Sequence, residues 1–340
     1  MTRARPVDEG TRRPRVTRRE NLVTALLASV IGAGTTLDVW AHGRFGDDLE
    51  TFFTPWHGLE YSGLLLTAAW IGLLVMRRQE RGASRLASIP AGYGLGLAGA
   101  AVMAAAGLAD LAWHTAFGIE VGLEALVSPP HMLLVVGEML LVSTPLRAAM
   151  ADSTLGEAPT FAASFPAVLS VGLATWYVAL PILYLSPLLI PATDAASAIP
   201  GMVTTTLLLV GPLLLMLRGW RLPFGSATTL FGLHALAFAA VGGFAFWPAV
   251  LPVLAAGLAA DMVVRLARHP SRRSPATYAV AGLPTLVLWS TYILLLWVLG
   301  AMDWPVALWT GVIAVATGAG VALATLMASR RSDDLDPLTE

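Results

Sequence analysis

Long apolar runs separated by short polar stretches set the pattern of this chain. An α-helix needs roughly 20 residues to cross the hydrocarbon of a bilayer. On that measure the runs predict spans over 21–42, 57–76, 89–114, 130–149, 160–186, 198–217, 225–245, 247–266, 276–299 and 304–328. No period-two alternation of the kind that marks transmembrane β-barrel strands replaces them. The predicted fold class is therefore all-α: a polytopic transmembrane helix bundle of about ten spans.

Charge orients the bundle. Arg77, Arg78, Arg81, Arg85, Arg147, Arg218, Arg221, Arg265, Arg268, Arg272, Arg273, Arg330 and Arg331 fall at alternate ends of these spans, on the same side as the seven arginines of residues 1–20. The opposite loops carry Arg44 alone. By the positive-inside rule this predicts an N-in, C-in protein of the cell (inner, cytoplasmic) membrane. No short apolar core with a small-residue cleavage site follows the basic segment, so a cleaved signal peptide is not expected. The organisation expected is a disordered basic cytoplasmic tail over 1–20, helices carrying a repeated motif over 21–149, a C-terminal helix bundle over 150–329 and a disordered acidic tail over 330–340.

Composition agrees. Hydrophobic residues make up 56% and charged residues 13%, against roughly 25% charged in soluble domains. The lipid bilayer is thus the first expected partner, and nucleic-acid binding by the basic tail is not expected. The chain has no cysteine, which excludes disulfides and thiolate metal ligands.

One motif occurs twice. Residues 38–63 and 110–137 both read Asp-x3-His-x2-Phe-Gly, then an acidic loop, then Ser/Thr-Pro-x-His, then a glycine six residues on. Four of the six histidines lie in the two copies: His42, His57, His114 and His131. The topology makes each copy a helical hairpin with its loop on the extracytoplasmic side. The hairpins point the same way, a parallel rather than an inverted repeat.

Residues four apart share a helix face, so Asp38/His42 and Asp110/His114 each present a carboxylate beside an imidazole. Proline suits the first turn of the next helix, and Pro-x-His returns a second imidazole at the same depth. Each hairpin then offers Asp, His and His: Asp38, His42, His57 and Asp110, His114, His131. Such a set suits copper, zinc or non-haem iron. An ionised Asp near hydrocarbon costs about 2.5–3.5 kcal/mol, and at a helix C-terminus it faces the negative end of the dipole. A cation offsets both. The alternative is that each Asp bonds its own His and caps the helix, or orients a ligating His from behind. Glu60, Glu138 and His234 are candidates for further ligands or their supports. Asp47, Asp48, Glu50, Glu120 and Glu124 line the loops and could attract cations.

Smaller features carry structural expectations. Gly46 and Gly118 should form turns at helix ends. Trp40, Trp56 and Trp113 read as interfacial residues. The run 92–107, GYGLGLAGAAVMAAAG, reads as a close-packing surface, Asp261 as a partner of Arg265, and His269 as a loop residue. The chain has no phosphate loop, nucleophile elbow, His-Glu-x-x-His or dinucleotide fingerprint.

The second copy, Asp110-Leu-Ala-Trp-His114 with Ser128-Pro-Pro-His131, resembles the C subunit of the copper membrane monooxygenases that act on methane, ammonia and hydrocarbons. There an Asp-x3-His on one helix and a Thr-Pro-x-His opening the next hold copper. The resemblance covers about 25 residues per copy. It implies copper at Asp110, His114 and His131 and, through the repeat, at Asp38, His42 and His57. It also implies an oxidoreductase acting on an apolar small-molecule substrate. The family's subunit has fewer spans, one such motif and a shorter loop between the histidines, and it works in a complex. A homo- or hetero-oligomer is therefore a further expectation. Outside the resemblance, a metal-ion or small-solute transporter and a non-catalytic assembly subunit remain open.

Overall fold

The computed structural model describes residues 13–46, 51–79, 84–119, 123–267 and 275–328. Asp47, Asp48, Glu50, Glu120, His269 and most of the two tails lie outside the described residues. The secondary structure of the described residues is helical throughout, with no strand. Nine helices among them are long and apolar enough to cross a membrane, and Ser226–Val241 is a shorter apolar tenth.

Helix α1 is Arg18–Phe45. It starts earlier than the predicted 21–42, because Thr17 and Glu20 form a reciprocal capping box that satisfies two orphan N–H groups. Helix α2, Pro55–Arg78, is capped by the Thr54 hydroxyl on the His57 N–H and has proline in its first turn. The two run antiparallel in close contact. Trp70 Nε1 donates to Thr24 Oγ1 at 3.1 Å, and Arg78 pairs with Glu20 at 2.6 Å. A Cβ placed on Gly34 would lie 2.5 Å from the Glu60 Cα. Glycine is thus what lets the backbones meet there.

Helix α3 is Gly94–Phe117. A short helix α4, Leu123–Val127, not foreseen from the sequence, follows it. Helix α5, Pro129–Val142, then continues past a break at Ser143 into α6, Thr144–Ala151. Helices α3 and α5 are also antiparallel. A Cβ on Gly99 would stand 2.6 Å from the Gly137 carbonyl oxygen, and one on Gly137 would stand 2.7 Å from the Met103 N. The glycine-rich run is therefore the close-packing surface expected of it. Tyr61 of α2 fills the notch at Gly107 of α3, joining the hairpins.

The remaining helices are α7 Phe161–Ala179, α8 Ala195–Leu217, α9 Ser226–Val241, α10 Val250–Leu266, α11 Pro275–Val298 and α12 Val306–Ala328. Pro181 lacks the N–H that would continue α7, so the chain tightens into a 3₁₀ segment, Leu180–Leu185. Helix α9 is shorter than the predicted 225–245 because Gly242 and Gly243 end it. Asp261 does not serve Arg265. It accepts from the N–H groups of Ala227 and Thr228, both at 3.0 Å, and from the Thr228 hydroxyl at 2.7 Å. A neighbouring carboxylate thus caps the positive end of α9. Arg265 instead lies over the Phe224 ring.

The main core is built on α7 to α12 around Trp176, Tyr177, Phe231, Phe238, Trp289 and Tyr292. A second core, with Ile31, Ile71, Leu74, Tyr93, Met103 and Leu141, fills the hairpins. Tyr177 ties the two: its hydroxyl meets Thr35 Oγ1 at 3.2 Å.

Candidate metal centre

Each hairpin closes on one three-residue group. In the first, Asp38 and His42 from the last turns of α1 meet His57 from the first turn of α2. In the second, Asp110 and His114 of α3 meet His131 of α5. Within each group the candidate donor atoms lie within 4.8 Å of one another. Asp38, His42, His57, Asp110 and His114 are buried, and the His131 side chain is 14% exposed.

The distances fit a shared ion. Nε2 of His57 and His42 lie 3.1 and 3.6 Å from the Asp38 carboxylate. Nε2 of His114 and His131 lie 3.4 and 3.3 Å from Asp110 Oδ1. Ligands about 2.0–2.2 Å from a tetrahedral ion stand about 3.3–3.6 Å apart. The same distances suit direct Asp–His bonding, and His57 bonds Asp38 in this way at 3.1 Å. His114 Nε2 is buried and has no aligned hydrogen-bond partner among the described residues. In each group the imidazole Nε2 atoms face the shared carboxylate.

The far side of the rings fixes that aim. Nδ1 of His57 bonds the Phe52 carbonyl at 2.6 Å. Nδ1 of His114 bonds the Gly118 carbonyl at 3.1 Å, and Nδ1 of His131 bonds the Ser128 hydroxyl at 2.7 Å. Metal-binding imidazoles are oriented in this way, with the other nitrogen left to the ion. Gly118 does this through a backbone with φ of +85° that returns its carbonyl to the helix end. Gly46 has positive φ as well, at +49°. Both ψ values, −121° at Gly46 and 178° at Gly118, lie outside the left-handed helical well. Phe52 stacks on His57 with ring centroids 4.6 Å apart. Spacing alone did not reveal these three anchors, although Ser128 belongs to the repeated motif.

The groups are neighbours. The rings of His42 and His114 lie 6.5 Å apart. One cavity of about 50 Å³ is lined by Asp38, His42 and His57 from one group and by Asp110 and His131 from the other. At roughly 10–15 Å³ per water centre, it has room for a few water-sized species. Glu60 and Glu138 line its inner end and are almost fully buried. The Thr35 hydroxyl donates to Glu138 at 2.8 Å, and the Glu138 carboxyl is also bonded with Tyr177 and Glu60. His234 stands apart, buried in α9 against Phe238 and absent from the cavity wall. Trp40, Phe45 and Trp56 pack together beside the site, and Trp113 packs on Phe117.

The chain matches no family model, no curated protein and no solved structure. What bears on its function is the helix bundle and the paired Asp/His/His groups.

Proposed function

We propose that this protein is an integral membrane metalloprotein in which each Asp/His/His group holds one divalent ion. One observation carries the reading: two sets of carboxylate and imidazole atoms, buried or nearly so, stand 3.1–3.6 Å apart, and within each set the candidate donors lie within 4.8 Å of one another. Arginine placement supports an extracytoplasmic position for the pair. The donor set suits copper, zinc and iron, and the monooxygenase-like motif makes copper the ion to load first.

The cavity favours a resident metal over ion passage. Next to Glu60 and Glu138 the hairpin core buries Ile31, Leu64, Met103 and Leu141, and the polar groups farther along, Thr67, Thr24, Tyr93 and Asn21, are uncharged. A transport path needs charged groups that continue across the membrane. An oxidoreductase role is the finer form of the proposal. It requires that bound copper cycle between two oxidation states with a reductant and oxygen.

Metal analysis of the purified full chain in detergent tests both levels. The expected content after loading and washing is about two ions per chain, falling to about one in Asp38→Ala or Asp110→Ala. A wild-type protein that retains no copper, zinc or iron overturns the reading. For the redox form, the Cu²⁺ paramagnetic signal should vanish with ascorbate and return in air. A signal that ascorbate leaves unchanged overturns that part alone.

A further inference from the structure

The metal cavity is too small for an organic molecule, but a far larger space lies against it. A groove of about 740 Å³ runs between the last turns of α1, the 3₁₀ segment after α7 and the turn that ends α9. That volume falls in the roughly 300–1,000 Å³ range that holds one small-molecule ligand. Val39, Gly43 and Tyr184 line both spaces and form the partition between them.

The partition is thin. Gly43 presents no side chain, and a Cβ built on it would meet nothing within 4 Å. Tyr184 is 42% exposed and belongs to the irregular 3₁₀ segment, where Ile182 departs from helical geometry. The opposite wall is a tight turn. Gly243 and Phe244 have φ of +57° and +59°, and Gly243 lies against the Trp40 indole. Phe244 is the sole non-glycine residue with positive φ among the described residues. Such strain collects at ligand-binding positions.

The groove is also polarised along α1. Leu37 lines one end and Arg44 the other. Seven residues of helix separate them, a rise of about 10 Å. Arg44 is exposed beside the Trp40, Phe45 and Trp56 cluster, at the level where aromatic residues meet lipid headgroups. Leu183, Leu189 and Ile190 supply apolar walls. A cation at the headgroup level above an apolar trough fits a molecule with an anionic head and an apolar tail.

We propose that this groove receives a single-chain carboxylate amphiphile, head at Arg44 and chain toward Leu37, and presents its head-proximal carbons to the metal cavity at Gly43. This names the substrate class of the proposed metal site and rests on that reading. The single chain follows from the volume, and the anionic head from the one arginine of that face.

Trp40 gives a direct readout. The full chain is placed in nanodiscs of zwitterionic lipid and titrated with dibromostearate or with its neutral methyl ester. Quenching that Trp40→Phe removes reports the groove. The acid is expected to bind at least tenfold tighter than the ester, with that preference lost in Arg44→Gln and kept in Arg44→Lys. Equal quenching by acid and ester, or a preference that survives Arg44→Gln, overturns the proposal and leaves ordinary boundary lipid. Added stearate should also shift the Cu²⁺ signal of the loaded wild type and not that of Gly43→Leu. A wild-type signal that stearate leaves unchanged overturns the access to the metal. If the acid preference holds in a protein that binds no metal, the metalloprotein reading fails and the groove stands.

Discussion

His42 and His114 lie nearly parallel across the boundary between the two hairpins, with ring centroids 6.5 Å apart and planes inclined by 22°. They close the two Asp-x3-His pairs, four residues past the aspartate, and each belongs to a different three-residue group. The two groups therefore meet through their equivalent histidines.

That meeting leaves each group its own carboxylate, Asp38 or Asp110, and predicts separate rather than bridged ions. His57→Ala should leave about one ion per chain, held by Asp110, His114 and His131. His131→Ala should leave the complementary one. Elemental analysis of each variant and of the double variant checks this. Loss of all metal from either single variant would show that the groups cannot load independently.

Thr54 and Ser128 occupy the same place in the repeat and do different work. The Thr54 hydroxyl accepts the His57 N–H at 3.2 Å as a helix cap. The Ser128 hydroxyl instead bonds the His131 ring at 2.7 Å. Thr54→Ala should cost about 1 kcal/mol of stability with little change in metal affinity. Ser128→Ala should weaken metal binding roughly 10–100-fold. Competitive titration with a chelator, alongside thermal unfolding, separates the two effects.

The backbone contact of α3 with α5 depends on Gly99 and Gly137. Gly99→Leu forces a side chain against the Gly137 carbonyl and the Leu141 N. Overpacking of this kind costs about 1–3 kcal/mol or more, and the shift also separates His114 from His131. A lowered unfolding temperature together with reduced metal content is expected. Gly318→Leu, at a glycine with nothing within 4 Å of its built Cβ, should leave both unchanged.

Asp261 gives a prediction remote from the site. Asp261→Ala strands the Ala227 and Thr228 donors at the start of α9. Each buried donor left unmade costs about 1–3 kcal/mol. Asp261→Asn keeps one acceptor and should lose less. Unfolding by denaturing detergent should rank wild type above Asn above Ala, with metal content unaffected in the folded protein.

The helices were legible because hydropathy over twenty residues is a strong, local signal. The Asp/His/His groups were legible because a four-residue helical spacing and a Pro-x-His start are also local. What escaped prediction depends on contacts between distant segments. Asp261 looked like a partner of Arg265 until α9 packed against α10 and offered its unsatisfied N–H groups. The carbonyls of Phe52 and Gly118 leave no mark in a residue code, since every residue has one. The α1 start was misplaced because the capping box sits inside a run of arginines, where charge suggested a tail. The adjacency of the two groups follows from the packing of Tyr61 on Gly107, a pair 46 positions apart.

The inner carboxylates break the symmetry of the repeat. Glu60 stands three residues past its histidine and Glu138 seven, and Leu134 and Leu64 occupy the reciprocal positions. Glu138 is tethered by Thr35, whereas Glu60 follows the first turn of α2. Two ions in this cavity would not be equivalent partners. One would take up residence first, and the protein would pass through a half-loaded form with its own spectrum and its own reactivity.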